Sequence, residues 1–400
     1  MKQSHVRNLA LAIFTSTIGT LPVFLTGALG SEIERHLHLS SMQFGILVAD
    51  YFLFAATFSF SLKFLADRRD PLKVMSYGVA ISSFGSIMIA VASGHYVLFL
   101  VWLSICGLAA GIIQPATNAF LSREIHQNKQ GIAFGIKQSG TPASTLLGGL
   151  ALPLIALTIG WQFSYVCAFC LGLACLTLLL IKLHRKHINT TDIVSKEAQT
   201  SSSTVRIKTR MTGLTLITFG IGLGSGTANT YGAFFVSTNI KAGFNPKLIG
   251  YLFAISSVLN LVTRVILGNF ADRNKDGKFP SVLNWVVIMF FIGSFGYLFQ
   301  LVHSIIFVTV GSLLAAILGW GWPGLTNLAI VRRFPTLAHR ATGISQAGVF
   351  LGAMAGPIIF GAVDSNISTN IAWTVNFMFA ILAAVTIAFG KKRLYQSTVN

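Results

Sequence analysis

Apolar runs of roughly 20 residues recur along the whole chain, separated by short polar intervals. They can be marked off at 8–30, 42–63, 73–93, 96–121, 132–158 and 162–183, then at 211–237, 246–269, 280–301, 304–330, 341–362 and 370–390. Each is long enough to cross about 30 Å of hydrocarbon as a helix, whose backbone groups are satisfied within the segment. The pattern predicts an all-α polytopic membrane protein with 12 transmembrane helices. The single long polar interval, "HRKHINTTDIVSKEAQTSSSTVRIKTR" (184–210), is basic and rich in Ser and Thr, the composition of a flexible linker. It divides the chain into an N-terminal six-helix bundle (1–183) and a C-terminal one (211–400).

The two halves repeat each other. Asp67 and Asp272 lie 205 residues apart, and Asn118 and Asn327 lie 209 apart. "GIKQSG" (135–140) returns as "GISQAG" (343–348) at an offset of 208. Three ordered matches at a near-constant offset read as an internal duplication, which makes the bundles pseudo-symmetric around a central cavity.

Composition agrees. Of the 400 residues, 53% are hydrophobic and only 10% charged, with a mean hydropathy of +0.71, too little charge to cover a water-facing surface. The net charge of +18 would suggest nucleic acid in a soluble protein, but the positions of the charges exclude that reading. Of the 29 Lys and Arg, Lys137 and Arg264 sit inside apolar runs, and Arg35, Lys241 and Lys247 sit in one set of alternate loops. The rest gather at the other loops and the termini. This bias puts that side, the linker and both termini in the cytoplasm of an inner-membrane protein. The apolar run after Lys2 and Arg7 extends to about Gly30, too long for a signal-peptide core, and reads as an uncleaved first span. The four cysteines fall within apolar stretches; "CAFC" (167–170) lacks a second pair or nearby His, so no metal site and no cofactor is expected.

A small charged cluster occurs twice at the ends of apolar runs, as "KFLADRRDPLK" (63–73) and "GNFADRNKDGK" (268–278). A carboxylate near the unpaired N–H groups of a neighbouring helix end is favourable, so Asp67 and Asp272 could each hold a bundle end that must be released for the bundles to rock. Gly268 would let two backbones approach closely. With the span count, linker and repeat, these strings resemble the major facilitator superfamily, whose loops between spans 2 and 3 and between spans 8 and 9 carry G-x-L-a-D-r-x-G-r-k. The second copy keeps Gly268, Asp272 and Arg273; the first keeps Asp67 and Arg68 but has Lys63 and Asp70 where the pattern has glycines. The resemblance implies the fold of that family and a gating role for these residues.

Ionisable residues inside spans are costly and are candidates for function. Arg264, Asn260 and Ser256 fall at intervals of four, forming one polar helix stripe. An arginine four residues before the motif glycine resembles the span-8 arginine of monocarboxylate and oxalate porters, which implies binding of a substrate carboxylate. Those monocarboxylate porters carry Asp where this chain has Asn260. Lys137 and Gln138, with Gln346 in the repeat, lie in a string similar to span 5 of bacterial cyanate- and nitrate-type porters. Both Arg264 and Lys137 could instead snorkel to headgroups. Asp50 is the only carboxylate well inside a span and is read either as a proton carrier or as a structural partner of one of the bases. Broken helices are expected in span 1 at Pro22 and in span 7 at "GIGLGSGTANTYG" (220–232), which offers Asn229 and Tyr231. Spans 4 and 10 add Gln114, Asn118, Trp320 and Asn327.

The expected function is alternating-access secondary transport of a small organic or inorganic anion by a monomer, with protons as an open coupling ion. The alternative is a proton-coupled drug or metabolite efflux antiporter. Exporters of that kind usually keep an acid in span 1 or 4, where this chain has only boundary residues such as Glu124. An enzyme is not expected, because the nine His are scattered and no metal-spaced cluster or nucleophile elbow occurs. Partners are the lipid bilayer and a small-molecule substrate, with no nucleic acid.

Overall fold

Polar side chains along the fold's interior explain which helices face lipid and which do not. A computed structural model describes residues 3–61, 69–92, 94–124, 133, 135–189, 208–273, 282–334 and 338–396. Helices occupy every expected run. Spans 1 to 4 are Gln3–Ala28, Ser41–Ser61, Pro71–Val91 and Tyr96–Glu124. Span 5 runs Gly140–Ala151 and continues through Leu152–Ala156 to Leu157–Ile159, and span 6 is Gln162–Asn189. Spans 7 to 9 are Lys208–Lys241, Pro246–Arg273 and Val282–Leu298. Span 10 is split into Ile305–Leu314, Ala315–Gly319 and Pro323–Arg333; spans 11 and 12 are Ala338–Asn366 and Thr369–Gln396. A short helix, Gly30–Leu37, follows span 1 at the end away from the termini.

By length and apolarity, eleven of the described helices could cross a membrane; span 7 is not among them. Its burial supplies the reason. Residues 224–239 are all buried, including Ser225, Thr227, Asn229, Thr230, Ser237, Thr238 and Asn239, so this helix meets other helices rather than lipid. Span 1 has the same property over residues 15–30, displaced by 209, the offset of the sequence repeat. The outward faces are apolar: Phe84, Val91, Phe163, Leu178, Phe219, Ile266, Phe291, Met378 and Phe389 are all exposed. A bilayer covers such a belt at no hydrophobic cost.

Two expectations about helix continuity need correction. Spans 1 and 7 are unbroken, Pro22 included, because their glycines bring backbones together rather than interrupting the helix. A Cβ on Gly27 would lie 2.2 Å from the Gly232 carbonyl, and one on Gly226 3.0 Å from the Gly352 carbonyl. The interruptions fall instead in spans 5 and 10, as wide π-type turns at Leu152–Ala156 and Ala315–Gly319. Prolines 153 and 323 sit at or just after these segments, where a missing N–H removes a ladder bond.

Among the described residues the halves of the chain meet closely at the end distant from the termini. Span 2 packs on span 11 so closely that a Cβ on Gly45 would lie 2.4 Å from the Pro357 carbonyl. One on Gly361 would lie 2.4 Å from the Ser41 carbonyl. The Phe44 and Phe234 rings meet edge-on at 5.5 Å, and the Met42 N–H donates to Ser365 Oγ at 2.8 Å. Spans 5 and 8 approach backbone to backbone at Gly149, whose Cβ would lie 2.7 Å from the Ala254 nitrogen. Glycine at this position of span 5 leaves room for the span 8 backbone.

Candidate functional site

Arg264 lies on span 8 between spans 5 and 10 and is 5% exposed. One guanidinium N–H donates to the Gln138 carbonyl at 2.5 Å and another to the Trp320 carbonyl at 2.7 Å. Its Nε has no partner. One turn earlier, Asn260 Nδ2 donates to the Ala316 carbonyl at 2.5 Å while its Oδ1 is unpartnered. A further turn back, the Ser256 and Ser312 hydroxyls bond at 2.9 Å. The predicted stripe of span 8 is therefore buried throughout, and it reads the irregular part of span 10 residue by residue.

The accepting carbonyls are available for local reasons. Gln138 and Ser139 form a turn ahead of the helix that begins at Gly140, and the residue four beyond Gln138 is Pro142, which has no N–H to give. Trp320 lies in the break before Pro323. Arg264 supplies a donor to each, in a part-buried bond to Gln138 and a buried one to Trp320.

Lys137 is 3% exposed, and its Nζ donates to Gln114 Oε1 at 2.5 Å and Asn118 Oδ1 at 3.1 Å, both on span 4. Neither Lys137 nor Arg264 snorkels; both point into protein. Gln138 is half-buried, and the adjacent Ser139 is buried with an unpartnered hydroxyl. Gln346 and Asn327 are half-buried on spans 11 and 10, and Asn118 is exposed despite its bond to Lys137.

Tyr231 and Trp320 meet edge-on at 6.4 Å, and Phe24 of span 1 reaches Trp320 at 5.4 Å, so three spans join in one aromatic cluster. Tyr231 is 1% exposed, its hydroxyl donating to the Ser312 carbonyl at 3.4 Å. Asn229 is turned onto its own helix, donating to the Ser225 carbonyl at 2.8 Å. Two cavities of about 190 Å³ lie off this axis. One is apolar, between Ile266, Phe270, Trp285 and Leu325; the other lies at the opposite end, among Thr238, Asn239, Gln300, His303 and Trp373.

Asp50 is half-buried on span 2 and accepts a hydrogen bond from Ser104 of span 4. Among the described residues that hydroxyl, and not a base, is its hydrogen-bond partner. Ser104 lies 10 residues before Gln114 on one helix, about 15 Å by helical rise, so Asp50 stands well apart from Lys137 in depth. The gating candidates Asp67 and Arg68 lie outside the described residues, and Asp272 and Arg273 end span 8 with side chains outside the described set. Gly268 does not bring two backbones together: a Cβ there meets nothing within 4 Å, because this stretch lies on a largely exposed face of the helix.

Sequence reasoning missed Glu34. It is 5% exposed and pairs with Lys241 Nζ at 2.7 Å, joining the halves at the end distant from the termini. The signal was present: Gly30, Ile33, Glu34 and Leu37 share one face of the Gly30–Leu37 helix, so an acid sits in its inward stripe. Burial raises the Glu34 carboxyl above the ordinary carboxylate range; the Lys241 ammonium opposes this, and Asp364 adds to it. A carboxyl that holds its proton more tightly when closed in than when exposed favours closure at low pH. That contribution is complete below the ordinary carboxyl pKa and is lost as pH rises through the raised value. Spin labels at Gln43 and Lys247 are therefore expected to report a tighter distribution at pH 5 than at pH 8. In Glu34→Gln the pH dependence should vanish with the face still closed. A wild-type chain that opens there on acidification would contradict this sign.

Comparison with known proteins places this geometry. The model of the Major Facilitator Superfamily matches residues 9–336. The multidrug resistance protein MdtG of Escherichia coli is similar over 385 residues at 23% identity, covering 92% of each chain. The probable anion transporter 3, chloroplastic, of Arabidopsis thaliana is 30% identical over 110 residues, 27% of this chain and 22% of that protein. A solved bacterial homolog of the human lysosomal transporter Spinster shares the fold with a TM-score of 0.69 at 13% identity, covering 99% of this chain and 97% of that one.

Proposed function

The chain belongs to the Major Facilitator Superfamily and is a multi-pass membrane transporter; on that premise we propose that it carries a small anion by alternating access between two six-helix bundles, 1–183 and 211–400. One observation carries the anion reading. Among the described residues, Arg264 and Lys137 are both buried and bonded only to neutral oxygens. Each described carboxylate is engaged elsewhere: Glu32 with Arg35, Glu34 with Lys241, Asp50 with Ser104, Asp70 with Lys186, Glu124 with Asn8 and Lys182, and Asp364 with Thr369. A buried cation without an anion is costly, and a substrate carboxylate or inorganic anion supplies the missing charge. The similarity to a protein named as an anion transporter points the same way.

In this reading Arg264 is the principal anion ligand, and Lys137, Asn260, Gln138, Asn118, Gln346 and Asn327 complete the polar lining. Tyr231, Asn229 and Trp320 form its far wall. Asp67, Arg68, Asp272 and Arg273 gate the end bearing the termini, which the charge bias assigns to the cytoplasm of an inner membrane. Closure at the opposite end then makes the described arrangement inward-facing, with the protein acting as a monomer. Asp50 is the proton carrier: Asp50→Asn is expected to abolish acceleration by a pH gradient while anion exchange persists.

Efflux of drugs or metabolites is the second reading, favoured by the similarity to MdtG over nearly the full chain. Purified protein in liposomes, given labelled oxalate, formate and benzoate with and without a pH gradient, separates the two. Saturable anion uptake is expected. Transport of ethidium with no transport of any anion would establish the second reading instead.

A further inference from the structure

The two carbonyls on Arg264 belong to different halves of the chain: Gln138 to span 5 and Trp320 to span 10. We propose that the Gln138 carbonyl is a placeholder for the substrate: it occupies Arg264 in the empty transporter and ties the halves together there, and an arriving anion displaces it and releases that tie. The inference rests on the anion reading and adds how binding is converted into movement.

The chemistry of the segment supports it. A helical carbonyl is normally held by the N–H four residues on, but Pro142 denies that bond to Gln138. The carbonyl is thereby left free to accept from span 8 without any loss inside its own helix. The tie is replaceable, because a carbonyl is a neutral acceptor, and a carboxylate facing a guanidinium forms stronger, forked bonds. Two groups that an oxyanion could use stand beside it unfilled, Arg264 Nε and the buried Ser139 hydroxyl next to Gln138, and Lys137, on the other side of Gln138 in the chain, is held by the neutral oxygens of Gln114 and Asn118. The displaced carbonyl need not stay orphaned, since its bond to Arg264 is only part-buried and Gln138 itself is half-buried, within reach of water. A ligand that binds the untied arrangement better than the tied one shifts the equilibrium between them, as transport requires.

Pro142→Ala tests this by returning an N–H that can take the Gln138 carbonyl into its own helix. Hydrogen exchange of the full-length protein is read at residues 135–145 and 258–270, with oxalate, formate and benzoate as probes. In the wild type, a binding anion is expected to raise exchange across this seam. In Pro142→Ala the seam should already be loosened without anion, and affinity for the binding anion should rise about tenfold, the effect of removing one competing charge-assisted hydrogen bond. A variant with wild-type seam exchange and wild-type affinity overturns the placeholder while leaving Arg264 as anion ligand. If Pro142→Ala does not fold, the wild-type arm decides: a seam that tightens or is unchanged on anion binding overturns the proposal. Failure of every anion to bind either protein overturns both readings, whereas binding lost in Arg264→Gln with an unchanged seam overturns only this one.

Discussion

Replacing Arg264 by alanine is expected to reduce anion uptake at least about 30-fold, since truncating one member of a buried charge pair costs roughly 2–5 kcal/mol. The same substitution orphans the Gln138 and Trp320 carbonyls, at about 1–3 kcal/mol each, so stability must be followed alongside transport. Arg264→Lys keeps the charge but loses the planar fork that spans two acceptors. It is expected to fold and to transport weakly. Uptake assays in liposomes, paired with melting curves in detergent, check both. Wild-type uptake in a folded Arg264→Ala protein would remove the anion site from span 8.

The second large effect lies in the seam between spans 7 and 11. Gly348, Gly352 and Gly356 recur every four residues on span 11 and face Thr218, Gly222 and Gly226 of span 7. A Cβ on Gly352 would lie 1.8 Å from the Gly222 carbonyl, and one on Gly356 2.4 Å from the Gly226 carbonyl. Both nearest atoms are backbone and cannot rotate away. An alanine would gain up to about 1 kcal/mol of helix propensity, but forcing two helix backbones apart costs about 3 kcal/mol or more. Gly352→Ala is therefore expected to melt well below the wild type. Gly343, on the same helix, meets nothing within 4 Å, so Gly343→Ala should be neutral or slightly more stable. Equal melting temperatures for the two variants would contradict this packing.

The spacing of those glycines is visible in the sequence, yet the glycines of span 7 read there as signs of a broken helix. Composition cannot separate the two cases: a Gly-rich stretch breaks a helix where nothing supports it and tightens one where another backbone fits against it. Arg264 and Asn260 show the reverse. Their shared stripe follows from a spacing of four, and the structure buries all of it. What they touch, the carbonyls of Ala316, Trp320 and Gln138, depends on two breaks in other helices. The sequence leaves Lys137 between headgroups and interior, because only the approach of span 4 supplies Gln114 and Asn118.

The number and order of the spans, the duplicated halves and the family resemblance are legible in the order of the residues alone. These depend on local hydropathy, which a bilayer reads one segment at a time. That spans 1 and 7 are continuous and enclosed, that spans 5 and 10 carry the irregular turns, and that Glu34 meets Lys241 across the halves emerges from the packing of the helices. Those outcomes depend on which backbone carbonyls and side chains arrive opposite one another, and no single segment carries that information.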